Sequence, residues 1–216
     1  MLAVEHLNMR FGGIHAVRDC SLAIDEGSIT GLIGPNGAGK TTLFNMIAGE
    51  LKPTSGRIIY CGDDIAGLPT HQMFHRGIVR TFQIPHEFAR MTVLENLMVV
   101  PAGQPGEHIF NNWFAGSRVR SREQAVKGQA LDSLEFLSLS HLQDEPAGNL
   151  SGGQKKLLEL GRTMMTDAKL VLLDEPGAGV NPTLLTKLRD MIARLRDERG
   201  YTFCVIEHDM DLIARL

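Results

Sequence analysis

A glycine-rich segment near the N-terminus has the residue types and the spacing of a phosphate-binding loop. Residues 34–41, GPNGAGKT, match the pattern G-x-x-x-x-G-K-[ST] between an apolar run and a helical pattern. Glycines let the backbone bend until several N–H groups face one anion, and the following helix adds the partial positive charge of its N-terminus. The residues expected to bind nucleotide phosphates are Gly34, Pro35, Asn36, Gly37, Ala38, Gly39, Lys40, Thr41 and Thr42.

Two side chains of this loop have distinct parts in the chemistry of a nucleoside triphosphate. The Lys40 ammonium can reach the β- and γ-phosphates, and the Thr41 hydroxyl can take a place on the Mg²⁺ that accompanies them. ATP and Mg²⁺ are therefore the expected cofactors.

A pair of carboxylates ends a second apolar run. Residues 170–173, LVLL, are apolar without alternation, as in a strand buried on both faces, and Asp174 and Glu175 follow directly. In open α/β sheets, ligands bind beyond the carboxyl ends of the strands, so these acids and the phosphate loop can share one crevice. Neighbouring residues at a strand end point in different directions. We therefore expect Asp174 to hold Mg²⁺ and Glu175 to act on the water that attacks the γ-phosphate.

A third motif, LSGGQ, lies at residues 150–154. Ser151, followed three residues later by Gln154, predicts a capping box at the start of a helix. Taken alone, that interpretation makes the segment a helix start with flexible glycines. The functional alternative is a second γ-phosphate site, built from bare N–H groups, the Ser151 hydroxyl and the helix dipole.

Along the chain the three motifs lie in the order phosphate loop, LSGGQ and carboxylate pair, and they resemble the ABC ATPase family, whose signature is LSGGQ, over nearly all of the chain. The resemblance implies that two chains, identical or different, pair head to tail. Each ATP would then lie between the phosphate loop of one chain and the LSGGQ segment of the other. The residues that this adds to the nucleotide site are Ser151, Gly152, Gly153 and Gln154.

The same resemblance assigns roles to three further residues. Gln83, in RTFQ, matches the glutamine that joins the core to a helical subdomain and reaches both Mg²⁺ and the attacking water. His208, in CVIEH, matches the histidine that contacts the γ-phosphate, and Phe11, before two glycines, matches the aromatic residue that stacks on adenine. The catalytic set is then Glu175, His208 and Gln83. The metal-binding set is Thr41, Gln83 and Asp174.

The chain departs from the family pattern in two places. The loop after Glu175 has Asn181 where an aspartate is usual, and an amide brings no charge to a dimer contact. The sequence also ends at residue 216, soon after His208, where family domains continue with further strands and a helix. The C-terminal part of the usual domain is therefore expected to be absent.

Apolar runs predict the strands that must position these groups. Residues 28–33, 170–173 and 202–206 are typical of buried strands in a mainly parallel sheet, and residues 2–25 alternate more, which favours an antiparallel edge layer. The fold class is therefore predicted as α/β with a mainly parallel sheet, and the resemblance implies a P-loop NTPase core of the ABC type.

The middle of the chain has helical periodicity instead. Residues 91–100 and 123–139 carry apolar side chains three and four apart, whereas the prolines and glycines of residues 101–120 predict a loop. We expect an inserted α-helical subdomain at residues 84–165. The ATP-binding core is expected from residues 1–83 and 166–216.

Composition limits the other possibilities. The formal net charge of -3 gives no electrostatic reason to expect nucleic acid as a partner. Cys20, Cys61 and Cys204 lack metal-ligand spacing and are expected to be buried thiols in a reducing compartment. The N-terminus does not have the pattern of a signal peptide, and no apolar run is long enough to span a bilayer. A cytoplasmic location is expected, with access to a membrane only through a partner.

Several segments are similar to those of the ATP-binding subunits of branched-chain amino-acid importers. They are GGIHAV, GIVRTFQ, MTVLENLMV, GAGVNP and IEHDM. The implied partners are a second ATPase subunit, integral membrane permease subunits at the inner face of the plasma membrane and, indirectly, a soluble solute-binding protein. Phe88 and Met91 are expected to lie in a groove that receives a short helix of the permease.

Three alternatives stay open at the level of the sequence. Subunits of urea and amide importers and of lipopolysaccharide exporters have similar segments. A non-transport ABC ATPase is a second alternative, which the single phosphate loop and the short stretch between Gln83 and Ser151 disfavour. An inactive nucleotide-binding module is the third, and the presence of Glu175 and His208 argues against it.

Overall fold

The computed structural model describes residues 1–81, 87–103 and 116–207, with side chains from residue 119 onward in the last range. The chain divides into two compact units. The core unit comprises Met1–Ile84 and Ala168–Leu216, and the helical unit comprises Pro85–Asp167. Within the described residues, no helix is both long enough and apolar enough to cross a membrane.

The described strands all belong to the core unit. In chain order they are β1 (Leu2–Phe11), β2 (Ile14–Ile24), β3 (Ile29–Leu32), β4 (Ser55–Tyr60), β5 (Asp63–Asp64), β6 (Ile78–Arg80), β7 (Leu170–Asp174) and β8 (Thr202–Ile206). The helices of this unit are α1 (Lys40–Ile47), α2 (Thr70–His75) and α6 (Pro182–Arg199). Those of the helical unit are α3 (Val93–Met98), α4 (Gly116–Phe136) and α5 (Gly152–Met164).

One sheet of the core unit is parallel and has the strand order β3-β8-β7-β6. Every residue of β7 and β8 is buried, which explains why both sequences are apolar without alternation. Because the strands are parallel, the segments that follow β3, β7 and β8 all leave from the same edge of the sheet. The phosphate loop and the pair Asp174 and Glu175 therefore belong to one edge, as the sequence predicts.

The second sheet is antiparallel, with the order β2-β1-β4-β5. Its first two strands form a hairpin whose register runs from Leu2 opposite Ile24 to Phe11 opposite Ile14. The predicted α/β fold, with a parallel sheet and an antiparallel layer, is thus confirmed. The two sheets share one apolar core with α1, whose Phe44 and Met46 are fully buried. This packing holds α1 in place and with it the loop that precedes the helix.

Local sequence signals account for the bounds of α6, which connects β7 to β8. The Asn181 side chain caps the helix by accepting from the Leu184 N–H at 2.9 Å, and Pro182 occupies the first turn. Gly200 ends the helix in the left-handed conformation. The residue that replaces the usual aspartate is therefore a helix cap in this chain.

Helices dominate the described part of the helical unit. Apolar side chains of α3, α4 and α5 pack together, and a Cβ on Gly161 would come within 2.6 Å of Leu137 Cδ1, so a larger residue there would require the Leu137 side chain to shift. The loop predicted at residues 101–120 is wrong for its last part, because α4 already begins at Gly116. Residues 104–115 lie outside the described residues.

The expectation of three buried thiols is wrong for two of them. Cys204, on β8, is buried, and desolvation raises its pKa to about 12. Cys20, on β2 of the antiparallel sheet, is half-buried, and Cys61 is exposed in the turn between β4 and β5.

Candidate nucleotide-binding site

A pocket of about 290 Å³ opens over the phosphate loop of the core unit. From the loop and the start of α1 it is lined by Asn36, Gly37, Ala38, Gly39, Lys40, Thr41 and Thr42. Glu175 contributes from the end of β7, and Ile14, His15 and Ala16 contribute from β2. The structure therefore brings together most of the predicted phosphate-binding residues and one of the two predicted carboxylates.

The start of α1 is arranged to leave its backbone donors open. Its N-cap is Gly39, which has no side chain to accept from the first N–H groups, and the first turn carries no acidic residue. Gly39 has φ of 85°, and a Cβ there would lie 2.3 Å from the Ala16 carbonyl oxygen. Glycine is thus required for both the left-handed conformation and the close approach of β2.

Lys40 supplies the positive charge of this pocket. Its side chain is buried, and Nζ donates to the carbonyl oxygens of Gly34 at 2.7 Å and Pro35 at 3.0 Å. Those two predicted residues thus support the lysine through their backbone. The ammonium is held at the loop by weak neutral acceptors, which a phosphate oxygen can replace with a stronger, charge-assisted bond.

The two carboxylates at the end of β7 face different surroundings. Glu175 lines the pocket and has φ of 49°, in the left-handed region, while its N–H donates to the Ile206 carbonyl at 3.0 Å. Asp174 is only 5% exposed, and its Oδ2 accepts from Nη2 of Arg80 at 2.9 Å. The sequence-based expectation that the pair diverges at the strand end agrees with this geometry.

The hairpin between β1 and β2 forms a wall of the pocket that sequence reasoning missed. Ile14 is 71% exposed, and the His15 ring donates from Nε2 to Asn8 Oδ1 at 3.1 Å and accepts at Nδ1 from Arg18 Nε at 3.2 Å. Desolvation, and then the charges of Arg10 and Arg18, lower the pKa of His15.

Phe11 ends β1 at the same hairpin and is 46% exposed, but it is not among the residues that line the pocket. A ring on the surface is available for stacking, which fits the predicted contact with adenine. The alternative of a core phenylalanine does not agree with that exposure.

A link within the core unit joins the loop after Glu175 to the end of β8. The Gly177 N–H donates to Oε1 of Glu207 at 2.7 Å, and Glu207 is 4% exposed. This buried carboxylate precedes His208, which the resemblance makes catalytic. His208 and Gln83 themselves lie outside the described residues.

In the helical unit, the LSGGQ segment forms the capping box that its spacing predicts. The Gln154 N–H donates to Ser151 Oγ at 3.4 Å, and the Ser151 N–H donates to Gln154 Oε1 at 2.9 Å. Ser151 and Gly152 are exposed, whereas Gly153 is buried. The segment is therefore an ordered helix start that keeps its first residues on the surface.

The loop before α3 is held by one buried amide. Asn96, fully buried, accepts from the Phe88 N–H at 2.8 Å and donates to the carbonyl oxygens of Phe88 and Thr92 at 3.1 and 2.9 Å. The Phe88 ring is 48% exposed, and the Arg162 guanidinium lies 5.4 Å from its centroid. An exposed aromatic ring is thus held in a defined place.

Comparison with known proteins assigns the class. Residues 17–178 match the family described as ABC transporter, which is more than half of the chain. The chain belongs to the ABC transporter family of ATP-binding domains, which bind ATP and hydrolyse it to power transport.

Individual relatives are similar over almost all of the chain. The probable branched-chain amino acid transport ATP-binding protein LivG of Archaeoglobus fulgidus is 43% identical over 215 residues, which are 100% of this chain and 82% of the relative. The high-affinity branched-chain amino acid transport ATP-binding protein BraF of Pseudomonas aeruginosa is 42% identical, over 100% of this chain and 85% of its own length.

A solved structure confirms the fold. The ADP conformation of MJ1267, an ATP-binding cassette of an ABC transporter, superposes with a TM-score of 0.82 at 41% identity. The match covers 99% of this chain and 83% of that one. The predicted ABC ATPase fold is therefore confirmed.

Proposed function

We propose that this chain is the ATPase subunit that powers import of branched-chain amino acids. The observation that carries the proposal is the pocket that the phosphate loop, Lys40 and Glu175 line together. Relatives named for branched-chain amino acid transport, at 42–43% identity over the whole chain, support the substrate class. Selection of the solute itself belongs to other polypeptides of the transporter.

The phosphate loop binds the triphosphate. The open N–H groups at the start of α1 donate to phosphate oxygens, and Lys40 turns from the Gly34 and Pro35 carbonyls to the β- and γ-phosphates. Phe11 stacks on adenine from the exposed end of β1.

Thr41 and Asp174 fit Mg²⁺, because a hydroxyl and a carboxylate are the hard oxygen donors that this ion takes together with substrate phosphates and water. Thr41 lines the pocket, and Asp174 ends the neighbouring buried strand. Gln83 is the third proposed ligand. When bound, Mg²⁺ neutralises charge on the β- and γ-phosphates during transfer.

Glu175 acts on the attacking water. Its carboxylate lines the pocket beside the phosphate loop, where it can orient the water and accept its proton. Gln83 orients the same water, and His208 contacts the γ-phosphate. The short link from Gly177 to Glu207 ties the backbone after Glu175 to the residue before His208.

The second half of each site comes from another subunit, identical or homologous, in a head-to-tail dimer. The exposed Ser151 and Gly152, with Gly153 and Gln154 behind them, offer a hydroxyl and a helix N-terminus to the γ-phosphate of that subunit. ATP closes the dimer because it contacts both chains in the closed state alone, and hydrolysis reopens it.

Permease subunits at the inner face of the membrane receive this movement, and a soluble binding protein delivers the solute to them. The exposed Phe88 ring, held by Asn96 and Arg162, is the proposed contact for a permease helix. Phe88→Asp should spare the ATPase activity of the isolated chain and uncouple transport. Leu131→Asp, at an exposed apolar residue of α4, is the matched control and should leave both activities unchanged.

Reconstitution tests the whole proposal. The chain is combined in proteoliposomes with the permease subunits and binding protein encoded beside it, and uptake of leucine, isoleucine, valine, urea and short amides is measured with and without ATP. ATP-dependent uptake of leucine, isoleucine or valine supports the proposal. Uptake of urea or amides alone would show that the proposed substrate class is wrong. Absence of ATP hydrolysis would show that the proposed ATPase activity is wrong.

A further inference from the structure

Arg80, the last residue of β6, joins three polar side chains of the core unit. Its Nη2 donates to Asp174 Oδ2 at 2.9 Å, and its Nη1 donates to Glu50 Oε2 at 3.0 Å and to Asn45 Oδ1. The side chains of Arg80 and Asp174 are 11% and 6% exposed. Charged groups this deeply buried need partners of opposite charge, so the pair is a structural requirement rather than a chance surface contact.

Two acceptors of Arg80 lie on the elements that carry the proposed Mg²⁺ ligands Thr41 and Asp174, and the third, Glu50, lies in the segment after α1. Asn45 lies on α1, four residues after Thr41 and therefore on the same face of the helix. Asp174 ends β7. Since a guanidinium is a rigid planar fork, its bonds fix the strand end and the helix relative to each other.

The cluster also sets the charge around Asp174. Arg80 carries one positive charge against the carboxylates of Asp174 and Glu50, so the three together keep one net negative charge. If Arg80 faced Asp174 alone, that carboxylate would be fully compensated and would attract a cation less. Glu50, whose side chain is 36% exposed, competes for the guanidinium from outside.

We propose that Arg80 is a positioning residue of the Mg²⁺ site and that Glu50, by sharing the charge of Arg80, sets how strongly Asp174 attracts the ion. The inference rests on the proposed Mg²⁺-ATP function and adds two residues to it. Neither residue touches the nucleotide in this proposal; both act through Asp174.

The first test is the Mg²⁺ dependence of nucleotide binding, measured by calorimetry with a non-hydrolysable ATP analogue. Glu50→Gln keeps an acceptor for Arg80 but removes the competing charge. The free Mg²⁺ concentration at half-maximal effect should rise about 3- to 10-fold, as expected for one partly screened charge near the site. Glu5→Gln, at the exposed ion pair with Arg57, is the matched control and should not change it.

The second test is thermal unfolding without ligand, arranged as a double-mutant cycle. Arg80→Met should lower the unfolding midpoint because it leaves Asp174 buried without its cation. Adding Asp174→Asn should recover at least half of that loss. If Arg80 only fills space, its replacement will lower the midpoint equally in both backgrounds.

The outcomes separate this inference from the proposed function. If the wild-type chain binds the analogue equally well with and without Mg²⁺, both the proposed function and this inference are refuted. A wild-type chain with clear Mg²⁺ dependence, together with an unshifted Glu50→Gln or an additive cycle, would overturn the role of Arg80 and Glu50 alone.

Discussion

Two helices of this protein begin at glycine-rich segments, and they differ in whether a side chain caps their first N–H groups. Helix α1 starts at Gly39, in a left-handed conformation and without a side-chain cap. Helix α5 starts at Ser151, which closes a capping box with Gln154. A ligand that binds at the start of α1 therefore does not have to displace a side-chain cap.

The difference between the two helix starts is consistent with different roles in nucleotide binding. The uncapped helix start has its first N–H groups open before an anion arrives, so that binding requires only Lys40 to turn from its carbonyl acceptors. The capped start is stable without a ligand, and its Ser151 hydroxyl still has one hydrogen to donate. We infer that the phosphate loop captures ATP and that LSGGQ recognises ATP already captured by another subunit.

The largest effect is expected on ATP turnover, which requires the phosphate loop of one chain and the LSGGQ segment of the other to bind the same nucleotide. Glu175→Gln should lower ATP turnover by about 10²–10⁴ and leave ATP binding intact, because the amide cannot accept the proton of the attacking water. ATP should then shift this variant from monomer to dimer in size-exclusion chromatography. Phosphate release and the elution volume measure the two effects; near-normal hydrolysis would remove Glu175 from the catalytic role.

A matched pair of glycine substitutions compares the two starts directly. Gly39→Ala should lower the free energy of unfolding by ~2–4 kcal/mol, because a Cβ would both strain the backbone and meet the Ala16 carbonyl. Gly152→Ala should change it by less than about 1 kcal/mol, since no atom lies within 4 Å of a Cβ there. Urea unfolding measures both. Equal losses would show that the two glycines do not differ as described.

The charge of the first start has a smaller effect, on affinity alone. Lys40→Ala should raise the dissociation constant of Mg²⁺-ATP about 10- to 100-fold, the scale of a lost hydrogen bond to a charged group. Lys127→Ala, at an exposed lysine of α4, provides the control for net charge. Calorimetry compares the variants, and an unchanged constant for Lys40→Ala would disprove the phosphate-loop assignment.

The smallest effect separates capping from recognition at the second start. Ser151→Ala should lower stability by about 0.5–2 kcal/mol through loss of the cap, whereas Ser151→Asp should retain it, since aspartate is an equally good N-cap. In the Glu175→Gln background, Ser151→Asp should nevertheless abolish the ATP-dependent dimer, because its carboxylate repels the γ-phosphate. Persistence of that dimer would place LSGGQ away from the nucleotide.

Local patterns in the sequence predict much of what these experiments address. The glycine spacing of residues 34–39, the capping box from Ser151 to Gln154 and the unbroken apolar run of β7 each depend on neighbours within a few positions. Such short-range constraints are visible in a linear sequence because the residues that satisfy one another are close along the chain.

Pairing between strands that are distant in the sequence cannot be predicted from such local patterns. Strands β4, β5 and β6 were not predicted, and β4 is set by its pairing with β1, which places Leu2 opposite Tyr60. The wall that Ile14, His15 and Ala16 give to the pocket depends on the same sheet. Alternation along a strand indicates which of its faces is buried, but not which strand pairs with it.

Short-range sequence patterns specify the phosphate loop, the two carboxylates after a strand and the capped LSGGQ, together with the local geometry of each. Which of these groups line one pocket and which share a charge depends on the folded chain. Arg80 and Asp174 are 94 positions apart and meet only because β6 pairs with β7. Nothing local specifies such a contact, because the electrostatic energy of a buried pair depends on the distance and burial that the folded chain imposes.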